Sequence, residues 1–129
     1  MILKEVKDYL KERIDCPHWY VGKRDQEQEY SLSVYPTQGP APRIPIGGLE
    51  KSRYGTKAVS VLVHWGRSYT PAEQKAQEVY DSLFGQNGSI GRDEVIMFDM
   101  RTSEPVGVGT DSKGYYEFVI NFVVYYRKG

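Results

Sequence analysis

The chain has 129 residues, of which 40% are hydrophobic, and its seventeen lysines and arginines balance seventeen aspartates and glutamates. That length supports one domain, residues 1–129, burying about two-thirds of the surface its unfolded chain exposes, while the cancelled charge gives no overall field to draw it to nucleic acid or an anionic membrane. A lone cysteine, Cys16, excludes an internal disulfide and fits a reducing cytoplasm.

The opening MILKEVKDYL is apolar only at helical spacing, unlike the unbroken apolar stretch of a signal peptide, and no run approaches membrane-spanning length. The expectation is a protein that stays where it is made. Ile2, Leu3, Val6, Tyr9, Leu10 and Ile14 share one face of a helix, and Pro17 pushes Cys16 towards extended geometry, so the helix is expected to end there. Trp19–Lys23 and Tyr30–Tyr35 read as short strands at a sheet margin, with polar RDQEQE between them as a hairpin-like loop. Five positions from Pro36 to Pro45 are proline or glycine, which marks a loop leading to an edge segment.

From Lys57 to Trp65, Val59, Val61, Val63 and Trp65 alternate with Ala58, Ser60, Leu62 and His64. Both faces look covered, so the strand is expected to be central. Thr70, Pro71 and Glu73 spell a helix start with a capping box. Ala72, Ala76, Val79, Tyr80, Leu83 and Phe84 form its apolar stripe, and Gly85 closes it. QNGSIG reads as a turn, Glu94–Thr102 as a strand and EPVGVGTDSKG as a loop. In the final strand, Tyr115–Arg127, Tyr116, Phe118, Ile120, Phe122, Val124 and Tyr126 line one face, with Glu117, Asn121 and Arg127 on the other. The order of elements predicts an α+β fold: a mixed, mostly antiparallel sheet with two helices on one face.

Chemistry finds little purchase in this pattern. His64 is the candidate base, with Asp99 or Glu94 to orient it, but a lone histidine beside Trp65 is more often packed, and no activated nucleophile accompanies it. Cys16-Pro17-His18 offers two metal ligands where zinc needs about four. PVGVGTD, with Gly107, Gly109 and Asp111, has no following helix to receive a phosphate. Gly47 and Gly48 lack the lysine and hydroxyl of a P-loop. A pair such as Asp93-Glu94 lacks a sugar platform. The chain is therefore read as non-enzymatic, with no cofactor and no metal. Eleven tyrosines and two tryptophans exceed what a small core holds, and aromatics are enriched at protein interfaces.

Taken together, CPHWYVGK at 16–23, RIPIGGLEKSRYGTKAVSVLVHW at 43–65, the TPAEQKAQEVYDSLFG helix and the PVGVGTDSKGYYEFVINFVVYYR ending resemble the phage minor capsid protein family of tailed bacteriophages and prophages, in its tail-terminator or head-tail joining group. The resemblance spans nearly the whole chain and is carried by packing and turn signatures. It implies a homo-oligomeric ring, a hexamer, that sits on the last ring of tail tube protein, stops tube polymerisation and meets the head-connector protein, in the virion at the head-tail junction after assembly in the bacterial cytoplasm. It transfers no catalytic residue. Such a ring needs heterologous contacts that close. The 38–56 loop is the expected intersubunit or tube-facing element, through Arg43, Gly47, Gly48, Leu49, Glu50, Arg53 and Tyr54, because its glycines are conformationally free and Leu49 and Tyr54 stand in an otherwise polar stretch. GVGTDSKG is a second candidate. Two alternatives stay open: a small cytoplasmic binding module touching protein or nucleic acid through the Arg43, Lys51, Arg53 and Lys57 patch, and a hydrolase using His64 with Asp99.

Overall fold

A computed structural model describes residues 1–23, 27–39 and 53–129. Helix α1 (Leu3–Lys11) is followed by β1 (Trp19–Val21), β2 (Tyr30–Pro36) and β3 (Tyr54–Trp65). Then come α2 (Tyr69–Asp81), β4 (Gly88–Ile90), β5 (Asp93–Met100), β6 (Val106–Thr110) and β7 (Tyr116–Arg127). The strands form one sheet in the order β1-β2-β3-β7-β5-β4, with β6 also paired to β7. Only β1 and β2 run parallel; every other pair is antiparallel. The fold is α+β, as the element pattern predicts.

The two long strands set the architecture. β3 and β7 pair from Tyr54 opposite Arg127 to His64 opposite Glu117, so their alternating side chains align into two faces. On one face Val59, Val61 and Val63 meet Phe122, Ile120 and Phe118, and Leu32 and Val34 of β2 continue the layer. Both helices bury their apolar stripes in that same cluster: Val6, Tyr9 and Leu10 from α1, and Ala72, Ala76, Val79 and Tyr80 from α2. The two fully buried alanines leave no bulk between the α2 backbone and the strands. A ladder of rings, Tyr9 to Phe98 at 5.4 Å and Phe98 to Phe122 at 5.9 Å, ties α1 to the far side of the sheet.

The second face is different in kind. By register it carries Ser31 and Ser33 of β2, Ala58, Ser60, Leu62 and His64 of β3, and Glu117, Val119, Asn121 and Val123 of β7. Ser31, Ser33, Ser60, Leu62, His64 and Val123 are buried there. The expectation that β3 is covered on both sides holds.

Several local expectations are corrected. Helix α1 stops at Lys11, well before Cys16: the Arg13 and Ile14 amides both turn back to the Leu10 carbonyl, and the Arg13 guanidinium donates to the Tyr9 carbonyl at 2.8 Å. These bonds close the last turn early, although Ile14 still reaches the core. β1 and β2 are not a hairpin; Trp19 lies parallel beside Leu32 and Val21 beside Val34, which puts Trp19 against the apolar face. The N-cap position of helix α2 is Ser68, two residues before Thr70, without a side-chain capping bond, and Glu73 accepts the Tyr69 hydroxyl at 3.2 Å where a capping box was expected. Pro71 remains in the first turn, where its missing amide costs nothing. Phe84 lies beyond the helix and is exposed.

Two segments read as turn and loop are strands. Gly88–Ile90 pairs with β5 through a tight reversal at Gly91, whose φ of 59° falls in the left-handed region. Val106–Thr110 pairs with β7 despite two glycines, and its register slips between Gly107 and Gly109. A bulge of that kind absorbs the residues that argue against a strand. The edge segment expected near Pro45 lies outside the described residues.

Candidate functional site

Of the expected interface residues, Arg43, Gly47, Gly48, Leu49 and Glu50 lie outside the described residues, as do Lys51 of the basic patch and the tip of RDQEQE. The flanks of that loop are well placed. On the leading side, the Thr37 amide donates to the Ala58 carbonyl at 3.3 Å, and Gly39 sits so close over Ala58 that a Cβ there would fall 2.6 Å from the Ala58 Cβ. Only glycine fits. On the returning side, the Arg53 carbonyl accepts the Lys128 amide at 2.6 Å, and Tyr54 opens β3 opposite Arg127. Tyr54 is 62% exposed, the largest exposure of any tyrosine here. Its neighbour Arg53 is exposed as well, whereas Lys57 is half-buried.

The tyrosine excess divides. Tyr9, Tyr80, Tyr115 and Tyr126 are buried, and Tyr9 and Tyr80 satisfy their hydroxyls on the Ser82 and Thr102 carbonyls, at 3.1 and 2.7 Å. The core therefore holds more tyrosine than the composition implies. Tyr30, Tyr54 and Tyr69 are the exposed ones.

His64 has a partner that the sequence does not single out. Its Nε2 meets Asp111 Oδ2 at 2.7 Å, and both side chains are almost fully buried, at 1% and 2% exposure. Asp99 and Glu94 lie elsewhere on β5, opposite Val123 and Arg127, and Asp99 faces Arg101 at 3.6 Å. Burial works to raise the Asp111 pKa. The His64 bond and the amides of Tyr115 and Lys113 together outweigh it, and hold the carboxyl below the usual carboxylate range. The phosphate-cradle reading of Gly107, Gly109 and Asp111, set aside from the sequence, gains nothing here. Both glycines belong to β6, and no helix follows them. The Cys16 thiol donates to the His18 carbonyl at 3.2 Å, burial pushes its pKa up, and among the described residues no group of three or more histidines, cysteines or carboxylates could hold a metal ion.

So the geometry offers two things: an exposed Arg53-Tyr54 corner where β3 begins, and a buried His64–Asp111 hydrogen bond that braces the turn between β6 and β7. The profile of the bacteriophage tail terminator protein family matches residues 7–127, from within α1 to the last residue of β7. The chain belongs to the bacteriophage tail terminator family. No curated protein and no solved structure matches it. Membership gives this tail terminator family protein a structural role in the phage tail, as a virion component that contacts other tail parts. The match takes in every described strand and α2. No helix among the described residues is long and apolar enough to cross a membrane.

Proposed function

We propose that this chain, acting as one domain over residues 1–129, closes the head-proximal end of a phage or prophage tail tube as a ring of six copies. The ring ends polymerisation of the tail tube protein and offers its other side to the head-connector protein, at the head-tail junction of the virion, after assembly in the host cytoplasm. The observation that carries the reading is the tail terminator match over residues 7–127. The work is done by shape, with no bond made or broken and no cofactor, and the balanced charge, seventeen against seventeen, leaves nucleic acid without specific attraction.

The contact element is the 38–56 stretch, whose last three residues open β3, with Arg43, Gly47, Gly48, Leu49, Glu50, Arg53 and Tyr54 reaching the neighbouring copy or the tube. Its support is the tethering of both flanks to β3 and β7 and the exposure of Arg53 and Tyr54. A specific contact buries about 800 Å² on each partner, so a loop with an aromatic and an arginine at its foot is a suitable anchor.

Purified tail tubes imaged by negative stain, with and without the chain, test this. Addition should produce capped ends and arrest growth; tubes that lengthen uncapped in its presence overturn the reading. Deletion of Leu49–Ser52, which spares the Arg53 and Tyr54 ladder bonds, should leave a folded protein that no longer caps. Normal capping by that variant removes the loop from the mechanism while leaving the ring intact.

A further inference from the structure

His64 is gripped at one ring nitrogen and left open at the other. Nε2 meets Asp111 Oδ2 at 2.7 Å, whereas Nδ1 is buried with no hydrogen-bond partner among the described residues. Directly opposite on β7 stands Glu117, whose Oε2 is also buried and also without a partner. Opposite side chains on antiparallel strands have Cβ atoms about 4.5–5.5 Å apart, so a rotation of the Glu117 carboxylate brings Oε2 to Nδ1. With the Ser31 hydroxyl opposite His64 on β2, three buried atoms in adjacent register positions lack partners among the described residues, which is uncommon in a folded protein, and a proton on Nδ1 settles the His64–Glu117 pair.

The chemistry is one proton at one atom. A neutral imidazole that donates through Nε2 presents a lone pair at Nδ1, which the carboxylate repels. An imidazolium presents a second N–H, and the contact becomes a charge-assisted hydrogen bond. We infer that His64, Asp111 and Glu117 form a proton-operated latch, which fixes the β6–β7 turn while His64 carries both ring protons and slackens when Nδ1 gives its proton up.

What the latch holds is well defined. Asp111 Oδ1 accepts the amides of Lys113 and Tyr115, at 2.9 and 3.0 Å, and so shapes the turn itself. The Tyr115 ring stands edge-on to His64 at 5.1 Å. Arg67 stands over the Tyr115 ring at 4.7 Å and donates to the Lys113 carbonyl at 3.0 Å. The groups that face His64 are thus Asp111 and Tyr115 from the turn and Glu117 from β7, with Arg67 one ring away; β2 contributes the Ser31 hydroxyl from the opposite neighbouring position. Beyond the turn, all five residues of β6 are exposed, and among the described residues β6 pairs with β7 alone. Its position follows the turn.

The expected direction has two limits. Loss of the Nδ1 proton as pH rises opens the Glu117 side, and protonation of Asp111 in strong acid opens the other. Histidine is the side chain that ordinarily changes charge between about pH 5 and 8, so the upper limit lies within reach of a solution experiment. The inference stands apart from the tail-capping reading, and neither fails with the other.

Amide hydrogen exchange on the full chain between about pH 5.5 and 8, expressed as protection factors, tests it. Protection of Val106–Thr110 and Lys113–Tyr116 should fall about tenfold or more as pH rises, while Leu32, Val61 and Val63 stay level. Glu117→Gln, which accepts from or donates to Nδ1 in either protonation state, should keep the hairpin protected throughout and abolish the step. A hairpin whose protection does not change with pH, a decline shared equally by every strand, or a step that survives in Glu117→Gln overturns the latch.

Discussion

The two faces of the sheet are both largely buried, yet they are built on different principles. The helix-covered face is a continuous layer of Val59, Val61, Val63, Phe118, Ile120 and Phe122, with the Tyr9 and Tyr80 hydroxyls satisfied at its margin on backbone carbonyls. The second face buries Ser31, Ser33, Ser60 and His64 beside Leu62 and Val123. Close packing stabilises the first in proportion to the area removed from water. The second rests on small side chains and the His64–Asp111 hydrogen bond, whose value depends on protons and partners. The same two strands, β3 and β7, supply both. A scaffold of this kind keeps its rigidity on one side and its adjustable chemistry on the other.

That contrast can be broken by four measurements. The largest effect is expected from Phe122→Ala. It removes the ring that meets Phe98 at the end of the aromatic ladder, and should cost about 3–5 kcal/mol in a urea or thermal unfolding curve. A loss below about 1 kcal/mol would mean that packing does not govern the helix face. Next is Gly55→Ala on β3, where the added Cβ would fall 2.6 Å from the Tyr126 ring. The buried tyrosine must shift, at a cost of about 1–3 kcal/mol; unchanged stability would show that this end of the core yields.

A smaller change is expected from acid. Asp111 titrates lower in the folded chain than unfolded, so its contribution is complete above the ordinary aspartate value of about 3.9. It is lost as pH falls through the lower folded value. Unfolding midpoints should therefore decline faster in the native chain than in Asp111→Asn as pH drops below about 4, and parallel curves would remove Asp111 from the balance. The smallest effect belongs to Ser31→Ala. Its buried hydroxyl has no partner among the described residues, so deletion forfeits no bond and stability should stay within about 0.5 kcal/mol. A loss of 2 kcal/mol or so would reveal a hydrogen bond on the second face where none is expected.

How much of this was legible from the residues follows the range of the interactions involved. β3 repeats Val59, Val61, Val63 and Trp65 at every second position, and β7 does the same from Tyr116 to Tyr126, and that period alone fixes which side chains share a face; the helix stripes are equally direct. The pairing of β1 with β2 was missed because polarity between two strands says nothing about their relative direction. β6 was missed because Gly107 and Gly109 argue against a strand locally, while the β7 backbone that satisfies it is supplied by the fold. Asp111 lies 47 positions from His64, in a stretch read for its glycines. A partner set by the register of three strands leaves no local mark. At the proposed interface, Arg53 and Tyr54 were legible as an aromatic and a cation in polar company, and the structure places both at the surface.

Gly39 and Arg53 bring out one more property of the molecule. Gly39 is seated on Ala58, and Arg53 stands five residues earlier on the same strand line, about 17 Å away at the rise of an extended chain. Whatever sequence joins them leaves and rejoins the scaffold at two fixed posts. The two ends of whatever joins them are thus held at a fixed spacing by the sheet itself.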